Sequence, residues 1–244
     1  SYNTNLTVDS ADLLEESHGE SETAWLQPHW VGDLTLSATV EAKSNSGEIR
    51  FELIKAGVPH QCVFDLATGT VKLYRGDDVL AEQGSPMKGP GRYQVEFANV
   101  DDRLTLVVNG TPIGGDGFEF DRVENVPIPT EADLSPAGIA IRRASATVSD
   151  LVLKRDIYYT QYPGRIDYAP VFEERFPRNS ADLLDFLSNP AYFPKFAKVG
   201  SHDYEIAEGR YMMLGDNSPR SKDSRGWDRA DLAWDTFDRQ SWEV

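Results

Sequence analysis

Between Trp25 and Tyr159 the chain alternates apolar and polar residues in short runs. Leu34-Thr35-Leu36-Ser37-Ala38-Thr39-Val40, Ile49-Arg50-Phe51-Glu52-Leu53 and Val71-Lys72-Leu73-Tyr74 place every second side chain on one face, the pattern of strands with one buried face. The same alternation returns in Tyr93–Phe97 and Leu104–Val108 and, after an irregular Gly- and Pro-rich stretch from Thr111 to Pro136, in Gly138–Ile141 and Ala146–Leu153. The runs are bounded by Gly, Asn, Asp or Pro, which supply turn geometry. Asn109-Gly110 predicts a two-residue hairpin, and Asn99-Val100-Asp101-Asp102 the turn before it. About ten short strands with regular turns predict a mainly β fold, an antiparallel jelly-roll sandwich over 25–159.

The flanks follow other rules. Residues 1–24 are acidic, with Asp9, Asp12, Glu15, Glu16, Glu20 and Glu22, and read as an extended lead-in. Residues 160–199 read as a linker with a short helix. Tyr158, Tyr159, Tyr162 and Tyr168 stand among Pro163, Gly164, Pro170 and Pro177, where tyrosines cover a domain seam or stack on a sugar ring. Asn179 or Ser180 caps a helix with Leu183, Leu184 and Leu187 on its apolar face, and Asn189-Pro190 ends it. Tyr192, Phe193 and Phe196 are placed to dock this piece. In 200–244, Tyr204-Glu205-Ile206 and Tyr211-Met212-Met213-Leu214 predict a small carboxy-terminal β segment, two strands joined by Ala207-Glu208-Gly209-Arg210.

Charge narrows the partners. With 24 Lys and Arg against 40 Asp and Glu the net charge is -16, so nucleic-acid backbones and anionic lipid surfaces are not expected partners. Cys62 is the single cysteine, which excludes an intrachain disulfide and a cysteine metal cluster. His18, His29, His60 and His202 lack a paired-ligand spacing. Asp228, Asp231, Asp235 and Asp238 recur at short intervals without the loop order of a calcium site. No metal or cofactor is predicted. No run reaches the ~18 apolar residues of a membrane-spanning helix, so a membrane is expected to be met only through an anchor outside this chain.

Two resemblances add to this reading. The phrase Gly91-Arg92-Tyr93-Gln94-Val95-Glu96-Phe97 followed by Asp102-Arg103-Leu104-Thr105-Leu106-Val107-Val108-Asn109-Gly110, with the order of elements around it, resembles the concanavalin-like and laminin-G-like jelly-roll modules. Such modules bind sugars, calcium or proteins through their loops, here Gly76-Asp77-Asp78 or Gly115-Asp116-Gly117. The run Gly215-Asp216-Asn217-Ser218-Pro219-Arg220-Ser221-Lys222-Asp223-Ser224-Arg225, preceded by Glu208-Gly209-Arg210-Tyr211 and an apolar strand, resembles the terminal box of bacterial type I signal peptidases, Gly-Asp-Asn-x-x-x-Ser-x-Asp-Ser-Arg.

That family consists of membrane-anchored serine endopeptidases that use a Ser nucleophile and a Lys base. The resemblance implies that Ser221 hydrogen-bonds the catalytic lysine, that Asp223 pairs with Arg225, and that Asp216 braces the turn, with Gly215, Asn217 and Ser224 completing the box. A lysine serves as a base near neutral pH when its ammonium form is disfavoured. A neutral hydroxyl orients the amine without stabilising its charge, while the arginine occupies the nearby carboxylate.

The family's Ser-Met-x-Pro and Lys-Arg-x-x-Gly-x-Pro-Gly boxes do not occur in the sequence, so no catalytic residue is assigned in this chain. The resemblance implies that both boxes and an amino-terminal anchor lie upstream of Ser1, that the sandwich is an insertion between the Lys box and the terminal one, and that the intact protein processes preprotein signal peptides outside the cytoplasm. The alternative is a non-catalytic laminin-G-like or lectin-like module for a glycan, peptide or surface partner.

Overall fold

The structure is a computed structural model that describes residues 30–121, 128–156, 185–198 and 205–213. Two antiparallel sheets form the sandwich. One has the order β11-β1-β6-β7-β8, with β9 also on β7; the other has the order β10-β2-β3-β4-β5. The strands are β1 (Leu34–Ala42), β2 (Glu48–Lys55), β3 (Val58–Asp65), β4 (Thr70–Arg75), β5 (Asp78–Gly84), β6 (Gly91–Val100), β7 (Arg103–Val108), β8 (Thr111–Pro112), β9 (Phe118–Glu119), β10 (Ala137–Arg142) and β11 (Ala146–Arg155).

The alternation becomes the core. Leu34, Leu36, Ala38 and Val40 of β1 and Tyr93, Val95 and Phe97 of β6 meet Ile49, Phe51 and Leu53 of β2 and Val71 and Leu73 of β4, all buried. Phe51 and Phe64 pack edge to face at 6.3 Å between ring centroids. Burying a side chain of this size contributes ~1.5–3 kcal/mol, and the period-two pattern directs all of it into one layer.

Tight turns set the register. Asn109 and Gly110 have φ 51° and 77°, and Val108 pairs directly with Thr111, as the expected two-residue hairpin requires. Left-handed backbone at both central positions matches the twist of the flanking strands. Asp101 and Asp102 repeat the geometry at φ 51° and 55° between β6 and β7.

Four strands were not expected from the pattern: β3, β5 and the two-residue β8 and β9. In β3, Pro59, His60, Gln61 and Cys62 hide the alternation, and β5 is largely exposed. The stretch from Thr111 to Pro136 holds β8, β9 and a short 3-10 helix over Glu131–Leu134. There the buried carboxylate of Asp133 accepts the backbone N–H groups of Ala56 and Gly57 at 2.8 Å each, tying the β2–β3 turn to the helix.

At the sandwich edge β11 carries a bulge. Asp150 and Leu151 lie opposite Ala38 where the β1 register shifts between Ser37 and Thr39, and Asp150 has φ 52°. A bulge twists an edge strand and blunts further pairing, which suits a strand that exposes Leu151, Val152 and Leu153.

Residues 185–188 are helical, and a 3-10 helix spans Pro190–Lys198. The α-helix thus ends before Asn189-Pro190, as expected, and a separate 3-10 helix begins at Pro190. Phe186, Leu187, Phe193 and Phe196 are buried, with Phe186 4.5 Å from Tyr192 and 5.9 Å from Phe196 between ring centroids. Residues 205–213 depart from expectation. They form a turn at Glu208-Gly209, closed by the Arg210 N–H to the Ala207 carbonyl at 3.0 Å, but no strand. Ile206, Tyr211 and Met213 are exposed, Tyr211 at 87%, so the apolar pattern of this segment is not folded into a sheet among the described residues.

Candidate functional site

The residues singled out by the terminal box, Gly215, Asp216, Asn217, Ser221, Asp223, Ser224 and Arg225, lie outside the described residues. So do Tyr158, Tyr159, Tyr162 and Tyr168. Of the sandwich loops, Gly76 with φ 58° begins the β4–β5 turn, and Asp77 and Asp78 beside it are exposed. Asp116, between Gly115 and Gly117, is exposed as well. Among the described residues no three His, Cys, Asp or Glu side chains are grouped to hold a metal ion.

A different site emerges from the registers of the five-stranded sheet. Across it, Arg50 pairs with Val63, which pairs with Lys72, which pairs with Glu82; one step along, Glu52 pairs with Gln61, which pairs with Tyr74. Since Phe51, Leu53, Cys62, Phe64, Val71 and Leu73 point into the core, period two turns Arg50, Glu52, Gln61, Val63, Lys72 and Tyr74 outward together. Strands ~4.8 Å apart and a ~7 Å repeat along each strand give these six residues a face of roughly 10 by 7 Å.

The face is polar and pre-arranged. Gln61 donates its amide to the Glu52 carboxylate, and Lys72 lies 3.4 Å from Glu82. Arg50 makes no ion pair with the described residues. Gly138 and Ala140 of β10 sit beside Glu52 and Arg50, so the neighbouring edge strand adds no bulk over them. Carboxylate, amide and guanidinium groups each address two adjacent hydroxyls, and a half-buried tyrosine offers an apolar ring with a polar tip. The sequence showed Arg50, Glu52, Lys72 and Tyr74 only as the polar positions of two runs; their meeting depends on β3, whose alternation was hidden.

The groups with nucleophilic or acid–base potential point the other way. Cys62 is fully buried and burial pushes its thiol pKa up, which suppresses the reactive thiolate. His60, 2% exposed, has its pKa lowered to about 4, first by burial and then by the Arg75 and Lys55 charges, with the Val58 carbonyl and Asp102 opposing. At the same end of the sandwich Lys55 bridges Asp33 at 2.6 Å and Asp102 at 3.5 Å. These groups consolidate the turns, and the open face belongs to the polar ladder.

No protein-family model and no curated protein sequence matches the chain. Among solved structures it is similar to the carbohydrate-binding module CBM66 from Bacillus subtilis, at 15% identity and TM-score 0.40 over 50% of this chain and 75% of that one. It is also similar to sheep galectin-11 in complex with glycerol, at 13% identity and TM-score 0.36 over 51% of this chain and 92% of that one. A third, the galectin LEC-6 of Caenorhabditis elegans, shows 18% identity and TM-score 0.31 over 49% of this chain and 84% of that one.

Proposed function

We propose that the sandwich is a non-catalytic binding module that takes a glycan on the outward face of its five-stranded sheet, and that it is carried by a type I signal-peptidase-like protein acting outside the cytoplasm. The observation that carries the binding reading is the ladder itself: Arg50, Glu52, Gln61, Lys72 and Tyr74 on three paired strands. Rigid strands hold these groups at fixed spacing, so a ligand with regularly spaced hydroxyls meets them without first ordering a loop. A glycan array tests this. The chain is expected to bind a subset of glycans saturably, and Tyr74→Ala and Glu52→Ala to weaken that binding at least ~10-fold, a loss of ~1.4 kcal/mol each. Wild-type binding that both variants leave intact would place the glycan elsewhere, and silence across the array would remove it.

The peptidase reading rests on the box from Gly215 to Arg225. In it Ser221 orients a lysine supplied by another part of the protein, Asp223 pairs with Arg225, and Gly215, Asp216, Asn217 and Ser224 shape the turn. The partner of the intact protein is then a preprotein signal peptide. Sequencing upstream of Ser1 is expected to find Ser-Met-x-Pro and Lys-Arg-x-x-Gly-x-Pro-Gly boxes. Cleavage of a preprotein by this chain alone, abolished by Ser221→Ala, would make Ser221 a nucleophile and overturn the supporting role.

A further inference from the structure

On one side of the sandwich the two edge strands leave apolar inner-face positions open. β10 and β11 follow one another in the chain, joined through Arg143, Ala144 and Ser145, and each is the last strand of its sheet. Ile139, Ala146 and Val148 of these strands pack against the core. Ile141 pairs with Ile49 and Leu153 with Leu36, so both stand at positions whose partners are fully buried. Yet Ile141 is 38% exposed, Leu153 39%, and Leu151 in the bulge 61%. The core therefore reaches solvent along an apolar mouth between the two edges, and an opening of this kind marks a surface that another segment covers.

The charges around the mouth narrow the occupant. In a chain of net charge -16, residues 137–155 reverse the sign, with Arg142, Arg143, Lys154 and Arg155 against the single acid Asp150. Arg142 meets Glu48 at 3.5 Å, and Asp150 meets Arg92 at 3.7 Å. Arg143 and Lys154 are exposed and make no ion pair with the described residues. A second copy of the same edge would set these cations against one another. The fitting occupant interleaves acidic side chains with apolar ones, and such a segment precedes β1. Residues 1–29, outside the described residues, contain no Lys or Arg and hold Asp9, Asp12, Glu15 and Glu16 beside Leu6, Val8, Leu13 and Leu14.

That segment joins the sandwich beside the end of β11. Leu34 pairs with Arg155, and the Asp156 N–H donates to the Asp33 carbonyl at 3.0 Å. From there residues 17–29 span up to about 40 Å when extended, more than the ~33 Å length of the ten-residue β11. Residues 6–16 therefore reach any point of the mouth, and the tether raises their local concentration above that of a free peptide. We propose that the mouth between β10 and β11 is a docking site for residues 6–16 of the same chain, whose apolar side chains cover Ile141, Leu151 and Leu153 and whose carboxylates pair with Arg143 and Lys154. The bulge fits this mode, because the left-handed Asp150 interrupts backbone pairing along the edge and leaves side chains to hold the segment.

Carbodiimide cross-linking of the full chain, read by mass spectrometry, tests the docking. The expected product is an amide bond from Lys154 Nζ to a carboxylate among Asp9, Asp12, Glu15 and Glu16, at least ~10-fold above any such bond to Lys72, because docking concentrates those carboxylates at one lysine. Lys72 lies on β4, three strands from β10. A mixture of 15N-labelled and unlabelled chains shows whether the bond lies within one chain. Leu13→Asp with Leu14→Asp leaves the sandwich sequence untouched; it is expected to lower the Lys154 product ~10-fold and to shift the Leu151 and Leu153 methyl NMR signals while leaving those of the core residues Leu34 and Leu106 in place. Equal coupling to Lys154 and Lys72, or Leu151 and Leu153 signals that the double variant leaves unmoved, would overturn the proposal. So would cross-links between chains, which give the edge to a second copy, or broadening of the wild-type Leu151 and Leu153 signals by phosphatidylglycerol vesicles, which gives it to a membrane.

Discussion

The state of His60 makes the stability of the sandwich depend on pH in a defined window. Its pKa falls from 6.5 to about 4 in the folded protein because burial and the Arg75 and Lys55 charges disfavour the imidazolium. The unfolded chain therefore binds a proton at a pH where the folded one does not. The contribution of neutral His60 is fully present above pH 6.5 and is lost as pH falls through the window down to about 4, below which both states are protonated. At ~1.36 kcal/mol per unit of pKa difference the full loss is about 3 kcal/mol. That is a large share of the ~5–15 kcal/mol that stabilises an ordinary domain.

Urea unfolding followed by tryptophan fluorescence at pH 7.5, 6.5, 5.5 and 5.0 measures this loss. Carboxylates titrate at the acid end of the range, so the quantity to compare is the difference between the wild type and His60→Gln. Between pH 7.5 and 5.0 the wild type is expected to lose about 2 kcal/mol more than the variant. Direct NMR titration of the His60 ring covers the case in which the variant folds poorly, and should show no protonation until the pH approaches 4. Parallel stability curves for the two proteins, or a His60 titration near 6.5, would refute the reasoning.

Other perturbations probe single features. Asp133→Ala removes the carboxylate that accepts the Ala56, Gly57 and Thr130 N–H groups and the Thr130 hydroxyl, and a thermal or urea melt should show a loss of ~3–5 kcal/mol, since bonds to a charged acceptor contribute ~1.5–3 kcal/mol each and are not additive. Gly47→Ala should destabilise far more than Gly110→Ala: both positions have positive φ, but a Cβ at Gly47 would lie 2.4 Å from the Arg143 carbonyl oxygen, whereas at Gly110 it meets nothing within 4 Å. Gly110→Ala then costs only ~1–2 kcal/mol of left-handed backbone strain, and similar losses for the two would contradict the steric argument. Cys62 should resist a thiol reagent in the native chain and react at once in denaturant; fast native labelling would show that the interior opens.

How far the sequence reaches is clearest strand by strand. β1, β2, β4, β6 and β7 were legible because Leu, Val, Ile and Phe alternate with Ser, Thr, Lys and Glu on strands that are wet on one side. The Asn109-Gly110 turn was legible because few other pairs accept two left-handed residues in succession. β3 was hidden by chemistry, since Pro59, His60 and Cys62 do not announce a buried face, although His60 and Cys62 are inside. β5 was hidden because edge exposure removes the need for an apolar period. The ladder needs β3 at its centre, so a reader of single runs sees polar positions and not a surface. The polar interior at His60 and Asn99 is less legible still, because their contact joins residues 39 positions apart on opposite sheets.

The same periodicity separates the sandwich from the segment after it. In the sandwich every alternating run finds its neighbour, and where β11 exposes apolar residues at an edge, a bulge at Asp150-Leu151 limits further pairing. Residues 205–213 have the sequence of a hairpin, with a turn closed as a hairpin needs, yet Ile206 and Tyr211 stand in solvent and no strand forms. Two short strands alone are at best marginally stable in water; they order when a third strand covers their apolar side. The supporting role proposed for Ser221, Asp223 and Arg225 requires such a sheet, because a hydroxyl can orient a lysine only from a fixed backbone. The binding face needs no such completion, since β2, β3 and β4 already hold it rigid. The two parts of the proposal therefore make separate demands: glycan recognition by the ladder should survive in the sandwich as it stands, whereas the supporting role of Ser221 requires the segments around Ile206 and Tyr211 to pair as strands.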